Sequence, residues 1–359
     1  MYVHDDLLNV TSMGFLKILL YILLSLAILF AVFLVYFTLT DYRPDEVETL
    51  AVKDSPDVIE QDTLSVMIWN IGYAGLGNDM SFFYDGGDRV RASGERVKQN
   101  LDAITRELAN NKSADLYLLQ EVDVASKRSY HTDQFRRIHS ALGSYNGYFA
   151  LNYRVQFVPL PPHNPLGKVT SGLASFSSFI PSRVMRHDMP GGYGWPKRLF
   201  MLDRCFMTLR FPMKEGQDLV VVNTHNSAYD TGTLKKKEME HLRSFLLSEY
   251  EKGNYLIVGG DWNQFPTGIH SHEDTYAGMD SAKTTTIEPD FMPQGWRWGY
   301  DPATPTNRSL KLPYRADTPT AVIDFYLVSP NISLIEVQTI PLNFQPSDHH
   351  PVRARFHLQ

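Results

Sequence analysis

Apolar residues along this chain follow three different patterns. From Ile18 to Phe37 they are continuous, in the run ILLYILLSLAILFAVFLVYF of 20 residues with no charge and a single Ser. At about 1.5 Å per residue such a helix spans ~30 Å, the thickness of a hydrocarbon core, and it lacks the polar face a buried core helix would show. The run therefore predicts a transmembrane helix over 18–37, with 1–17 as a short flank. A cleaved signal peptide has a shorter apolar stretch, roughly 7–15 residues, and a small-x-small site after it. No such site precedes Arg43-Pro44, so the expectation is an uncleaved anchor. Lys17 abuts one end, and Arg43 and Lys53 follow the other. Lys17 and the amino terminus favour an amino-terminus-inside arrangement, with the rest of the chain extracytoplasmic.

The second pattern is the short, nearly continuous apolar stretch of a strand covered on both faces. Leu64–Ile71, Leu116–Leu119, Leu219–Asn223, Tyr255–Val258, Ala321–Val328 and Val352–Phe356 read this way. The third is helical. Val97, Leu101, Ile104 and Leu108 recur at spacings of 4, 3 and 4 within 93–110, an apolar stripe that needs a sheet beneath it. A second helix is expected over Leu234–Glu251. Residues 38–62, rich in Asp, Glu and Pro, read as a solvated stalk, and Val158–Pro165, with four prolines, as a rigid loop. The globular part is then 63–359, about 300 residues, an ordinary size for a two-sheet α/β sandwich.

Composition narrows this picture. The net charge of −6 argues against a surface built throughout to grip nucleic acid, although a local basic groove is compatible with it. Lys235-Lys236-Lys237 opens a predicted helix and reads as a solvated face. The single cysteine, Cys205, excludes an intramolecular disulfide and a Cys-based metal site.

Six short pieces at predicted strand ends carry the chemistry: Trp69-Asn70, Gln120-Glu121, Asn223-Thr224-His225, Gly260-Asp261-Trp262-Asn263, Ile323-Asp324-Phe325 and Ser347-Asp348-His349-His350-Pro351. Glu121 either caps a turn or binds a hard cation, and Asn70 either satisfies turn backbone or joins it. Asp261 and Asn263, after the flexible pair Gly259-Gly260, form either an Asx turn or a proton-taking pair. Asp324 inside an apolar strand needs a buried partner, for which His349 is nominated; a carboxylate beside that imidazole favours its charged form.

In this order the pieces resemble the endonuclease/exonuclease/phosphatase superfamily, which includes deoxyribonuclease-like nucleases, abasic-site endonucleases, neutral sphingomyelinases and inositol polyphosphate phosphatases. The resemblance runs from Leu64 to Phe356. It implies a four-layer α/β sandwich of two mixed sheets flanked by helices, and Mg²⁺ or Mn²⁺ as the cofactor. It makes Glu121 the main metal ligand, with Asn70 and Asp348 near the metal or the phosphate. It makes Asp261 the base or water-orienting group, Asn263 its partner on the phosphate oxygens, and His349 with Asp324 the stabiliser of phosphoryl charge. His225 matches the second histidine of the deoxyribonuclease-like and sphingomyelinase-like branches. Gly72 stands where abasic-site enzymes carry an acidic residue, which disfavours that branch. The insertion between Asp261 and Asp324, with Trp296, Trp298 and Asn307-Arg308-Ser309, matches no branch-specific loop. Arg308, Lys311 and Arg315 there, and Lys127-Arg128 after Glu121, are candidates for substrate phosphate or plain surface; Arg128, Arg308 and Asn70 are carried as substrate-binding. Gly191-Gly192-Tyr193-Gly194-Trp195 reads as a Gly-rich turn.

Three readings follow. The first is a membrane-anchored Mg²⁺-dependent phosphoesterase acting on a lipid head group or soluble phosphoester. The second is a surface nuclease for DNA or RNA. The third is a catalytically silent binding module, against which every chemical position is filled. The oligomeric state is not legible.

Overall fold

The computed structural model describes residues 3–110, 114–228, 233–268 and 285–359. The first helix, α1 (Val3–Leu39), includes an exposed stretch from Gly14 to Leu39 with mean hydropathy 3.1, long and apolar enough to cross a membrane.

Two mixed sheets follow. One runs, edge to edge, β1 (Val47–Leu50), β6 (Arg183–Asp188), β7 (Cys205–Pro212), β8 (Asp218–His225), β9 (Tyr255–Asp261), β13 (Asp324–Val328) and β10 (Arg297–Gly299). The other runs β14 (Ile332–Thr339), β15 (Val352–Leu358), β2 (Thr63–Asn70), β3 (Leu116–Asp123), β5 (Gly167–Ser177) and β4 (Asn146–Val158). A small ribbon pairs β11 (Asn307–Arg308) with β12 (Thr320–Ala321). Among the named strands of the described residues, β2 with β3 and β8 with β9 are parallel and the other pairs antiparallel.

The apolar runs are explained by burial on both faces. Leu64, Val66 and Ile68 point between the sheets to meet Val221, Ile257 and Val328. The alternate residues Met67 and Trp69 pack outward with Val97, Leu101 and Ile104 of α2 (Gly94–Asn110), and Ile138 and Leu142 of α3 (Gln134–Leu142) join that cluster. On the far face Val220, Val222 and Val258 pack with Leu242 and Leu246 of α4 (Thr233–Glu251). The result is the expected α/β sandwich, helix on sheet on sheet on helix.

Several elements lack a readable pattern. β14 exposes much of one face, and α3 is short enough that its apolar positions set no period. Within the segment read as stalk, β1 lies along β6 as the outermost strand of its sheet. Gly259 and Gly260, read as a turn, lie inside β9. A Cβ on Gly259 would stand 2.7 Å from the Ile68 side chain, and one on Gly260 2.0 Å from the Thr224 carbonyl oxygen, so the close approach of strands requires both glycines.

The sheets are also joined by a buried amide pair. Gln120 Nε2 donates to Asn223 Oδ1 at 2.8 Å, while Asn223 Nδ2 donates to the carbonyls of Leu119 and Ala174 at 3.2 Å. Asn223→Ala strands these groups without partners, at a cost of about 1–3 kcal/mol for each group left unsatisfied. A lowered denaturation midpoint checks this, and an unchanged one removes the amide pair as a fold determinant.

Candidate active site

Strand direction gathers the site at one edge of the sandwich. β2 and β3 run parallel and end there, as do β8 and β9, whereas β13 and β15 begin there. Asn70 is paired in register with Gln120, His225 with Asp261, and Asp261 with Asp324. His349, just before β15, is fixed by the Trp69 indole N–H, which donates to its carbonyl oxygen at 2.9 Å.

Asp261 is the hub. Its Oδ2 accepts from Asn70 Nδ2 at 2.9 Å and lies 3.5 Å from His225 Nε2 and 3.8 Å from His349 Nε2. Its Oδ1 accepts the Asn263 main-chain N–H at 2.9 Å. Burial, then the nearby Asp324 charge, raises this carboxyl to about 7. His349 Nδ1 lies 2.8 Å from Asp324 Oδ2. Burial pushes that imidazole down, but Asp324, Asp348 and Asp261 outweigh it and raise it to about 10. His225 goes the other way: burial, then the Arg204 and His349 charges, hold it well below the ordinary histidine range. Two histidines facing one carboxylate thus differ in charge, and environments of this kind divide acid and base roles.

Glu121 occupies a bulge in β3, between Leu119 and Val122, with φ of +55°. That conformation is strained for a residue with a side chain, and the bulge turns the carboxylate out of the ladder toward the cluster. Its Oε1 lies 3.5 Å from Asn70 Nδ2 and 4.0 Å from His225 Nε2. The Glu121 side chain keeps 26% exposure, against 2% for Asp261, so it is the outward-facing acid. Burial raises Glu121, Arg128 opposes this, and Asp348 raises it further; burial likewise raises Asp348. Two carboxylates that repel one another and accept few hydrogen bonds are a donor set suited to a hard divalent cation. Asp261, Asp324 and His349 also offer ligand atoms within 4.8 Å of one another and form a second group able to hold a metal ion, with His349 Nδ1 and Asp324 Oδ2 in contact at 2.8 Å. Gly72, at φ +50°, leaves room beside this pair: a Cβ there would stand 2.7 Å from Asp348 Oδ1.

The structure brings together Asn70, Glu121, His225, Asp261, Asp324, Asp348 and His349. Asn70 turns its NH₂ to the Glu121 and Asp261 carboxylates, while its oxygen accepts the Gly72 N–H at 3.0 Å. Asn263 acts from behind: its side-chain Nδ2 donates to the Asn226 carbonyl at 2.8 Å and its own carbonyl accepts from Lys235 Nζ at 3.1 Å. Lys235, read as part of a solvated face, is therefore buried, whereas Lys236 is exposed. Arg128 is locked in a two-pronged pair with Asp123 at 2.9 and 3.1 Å and lies 3.8 Å over the Tyr73 ring. Arg308, 1% exposed, donates to the main-chain carbonyls of Ser309, Leu312, Leu76, Gly77 and Met80. Its guanidinium holds loops together rather than facing a substrate. In the insertion, Trp298 packs against Trp262 and Phe325, and residues 269–284 lie outside the described residues.

Two residues at the site carry no role in the sequence reading, Asn307 being named there only as part of the insertion. Asn307 places its amide 2.9 Å from His349 Nε2 and 3.3 Å from the Asp348 carbonyl oxygen. Arg204 donates to the His225 carbonyl oxygen at 3.1 Å, and its charge is felt at Glu121. Both come from segments with no strand-end pattern, and only three-dimensional proximity reveals them.

Residues 67–349 match the Endonuclease/Exonuclease/phosphatase family. The comparison with curated proteins gave no match. Among solved structures, an endonuclease/exonuclease/phosphatase from Beutenbergia cavernae DSM 12333 is 18% identical, with a TM-score of 0.52 over 83% of this chain and 72% of its own. ANGEL2, a 2′,3′-cyclic phosphatase solved with adenosine-2′,3′-vanadate, is 17% identical, with a TM-score of 0.54 over 86% of this chain and 99% of its own. An endonuclease/exonuclease/phosphatase family protein from Leptotrichia buccalis C-1013-b is 15% identical, with a TM-score of 0.53 over 82% and 100%. At these identities the likeness is one of fold.

Proposed function

The chain belongs to the endonuclease/exonuclease/phosphatase family, and from that premise we propose that it is a membrane-anchored, Mg²⁺-dependent phosphoesterase acting on a lipid head group or soluble phosphoester. The observation that carries this reading is the buried cluster around Asp261, in which a carboxylate of raised pKa faces a neutral and a charged histidine beside an outward-turned Glu121.

In this reading Glu121 and Asp348 would hold the cation, and Asn70 orients the Glu121 and Asp261 carboxylates. When bound, Mg²⁺ supplies neutralisation of the phosphate oxygens. Asp261 takes the proton of the attacking water, with its orientation fixed by Asn70 on one oxygen and the Asn263 N–H on the other. A base whose pKa is near the working pH is well matched to that task. His349, held by Asp324, donates from Nε2 to the phosphoryl oxygen on which charge builds. His225, neutral, completes the polar wall without adding charge. The exposed apolar stretch of α1 and Lys17 before its core support an anchor with the catalytic domain extracytoplasmic.

The test uses the full chain in detergent micelles, with plasmid DNA, RNA, sphingomyelin and a phosphoinositide, in Mg²⁺ and in chelator. Hydrolysis of a phosphoester that chelator abolishes is the expected result. Nuclease activity whose binding falls steeply with salt would move the assignment to the surface nuclease. Absence of both turnover and Mg²⁺ binding would leave a silent module.

A further inference from the structure

We propose that a cavity between the carboxyl end of α1 and the catalytic domain binds the glycerol and acyl portion of a bilayer phospholipid, with Arg204 taking its phosphate at the mouth of the catalytic cluster. The cavity, of about 340 Å³, has Asp41–Pro44 as one wall and Met189, Gly192, Tyr193, Leu202 and Leu234 among the others. The anchor is then part of the binding site as well as a tether.

Three observations carry this. First, the helix is docked: the Phe200 ring lies 5.4 Å from Phe37 and 6.1 Å from Phe33, and Trp195 Nε1 donates to Thr38 Oγ1 at 3.1 Å. Phe33 lies a turn and a half inside the helix, roughly 9 Å below its end at 1.5 Å per residue. If α1 crosses a bilayer, the segment bearing Phe200 and the 57% exposed Trp195 sits at head-group depth, where such aromatic residues settle. The cavity opens beside it.

Second, the lining joins apolar surface to a cation, Arg204, that has no carboxylate partner among the described residues. Asp41 is matched by Arg43 at 3.4 Å and Arg198 at 3.2 Å, Asp188 by Arg186 at 3.0 Å, and Glu238 accepts the Ser227 N–H at 2.9 Å. Asp203 is held toward its neutral form by burial and by Asp41, rising to about 7. Arg204 meets a single acceptor among the described residues, the His225 carbonyl oxygen, and the rest of its donor fork is free for the planar recognition of a phosphate. Third, the cavity adjoins the site: Ser227 and Ala228 line it immediately after His225 and Asn226 of the cluster.

Lipid binding is independent of turnover, and only the fate of the bound lipid rests on the phosphoesterase reading. The test measures binding of dihexanoyl phosphatidic acid to the full chain in micelles by titration calorimetry, with inorganic phosphate as the second probe. Gly192 lines the cavity and a Cβ there meets nothing within 4 Å, so Gly192→Phe adds apolar bulk at the cavity with no clash at the new Cβ. Saturable lipid binding is expected, weakened roughly tenfold or more by Gly192→Phe through lost apolar burial. Arg204→Gln should weaken the lipid and inorganic phosphate alike, by roughly 10- to 100-fold, as loss of a charged hydrogen bond does. Lipid affinity unchanged in Gly192→Phe, or no saturable binding to the unsubstituted chain, overturns the proposal. Lipid binding that behaves as stated beside a chain inert toward every phosphoester would instead remove the phosphoesterase reading and leave the cavity standing.

Discussion

Asp261→Asn is expected to lower turnover by about 10² to 10⁴ while leaving the fold intact, the range that a positioned general base contributes. The substitution keeps the size of the side chain and an oxygen for the Asn70 amide, 2.9 Å away in the native site, but it cannot take a proton. The native carboxyl is raised by burial first and by Asp324 second, so its removal relieves a desolvation cost instead of creating one. The Asn263 N–H, which the native Oδ1 accepts, then faces an amide nitrogen, so denaturation should show at most a modest loss of about 1–3 kcal/mol in this variant, and kcat should carry the effect. Near-native turnover by Asp261→Asn would take Asp261 out of the base role, and an unfolded variant would make it structural.

Glu121→Gln should act on the cation before it acts on the substrate. Among the acids of the site Glu121 is the one that faces outward, at 26% side-chain exposure, from a backbone held at φ +55° by the bulge in β3. Gln retains that volume but presents one neutral oxygen. The concentration of Mg²⁺ giving half-maximal activity is expected to rise by more than the roughly 10- to 100-fold that loss of an outer partner costs a metal site. Mn²⁺ binding followed by paramagnetic resonance reads the same change without turnover. An unchanged metal titration would remove Glu121 from the ligand set.

The sandwich was legible because most of its central strands are covered on both faces and their apolar residues run nearly unbroken. Site legibility had another cause. Asn70, His225 and Asp261 end their strands, and ends of parallel neighbours meet at one edge whatever the intervening loops do. Where strand direction does not dictate position, sequence reasoning had nothing to hold. Arg308 looked like a phosphate-binding cation in a surface loop, yet its guanidinium is surrounded by five carbonyl acceptors from loops far apart in sequence. Lys235 sits in a run of three lysines that looks solvated, and a carbonyl contributed by Asn263 is what draws it inward. Asn307 gains its place only because a short β-bridge sets it against His349. Gln120 and Asn223 stood within readable motifs, but their link is between sheets, and no period in either strand encodes it.

The position of β1 bears on what happens when the chain is cut between α1 and the sandwich. From Val47 to Leu50 it lies against β6, and the next segment of chain leads to β2. A protease cutting between Leu50 and Thr63 would sever the sandwich from α1 and strip this strand away with it. The unpaired N–H and C=O groups of β6 would then be a template for another chain. Cleavage in that interval would produce a sticky, self-associating species, whereas cleavage before Val47 would leave the sheet ending in the short four-residue edge that β1 provides.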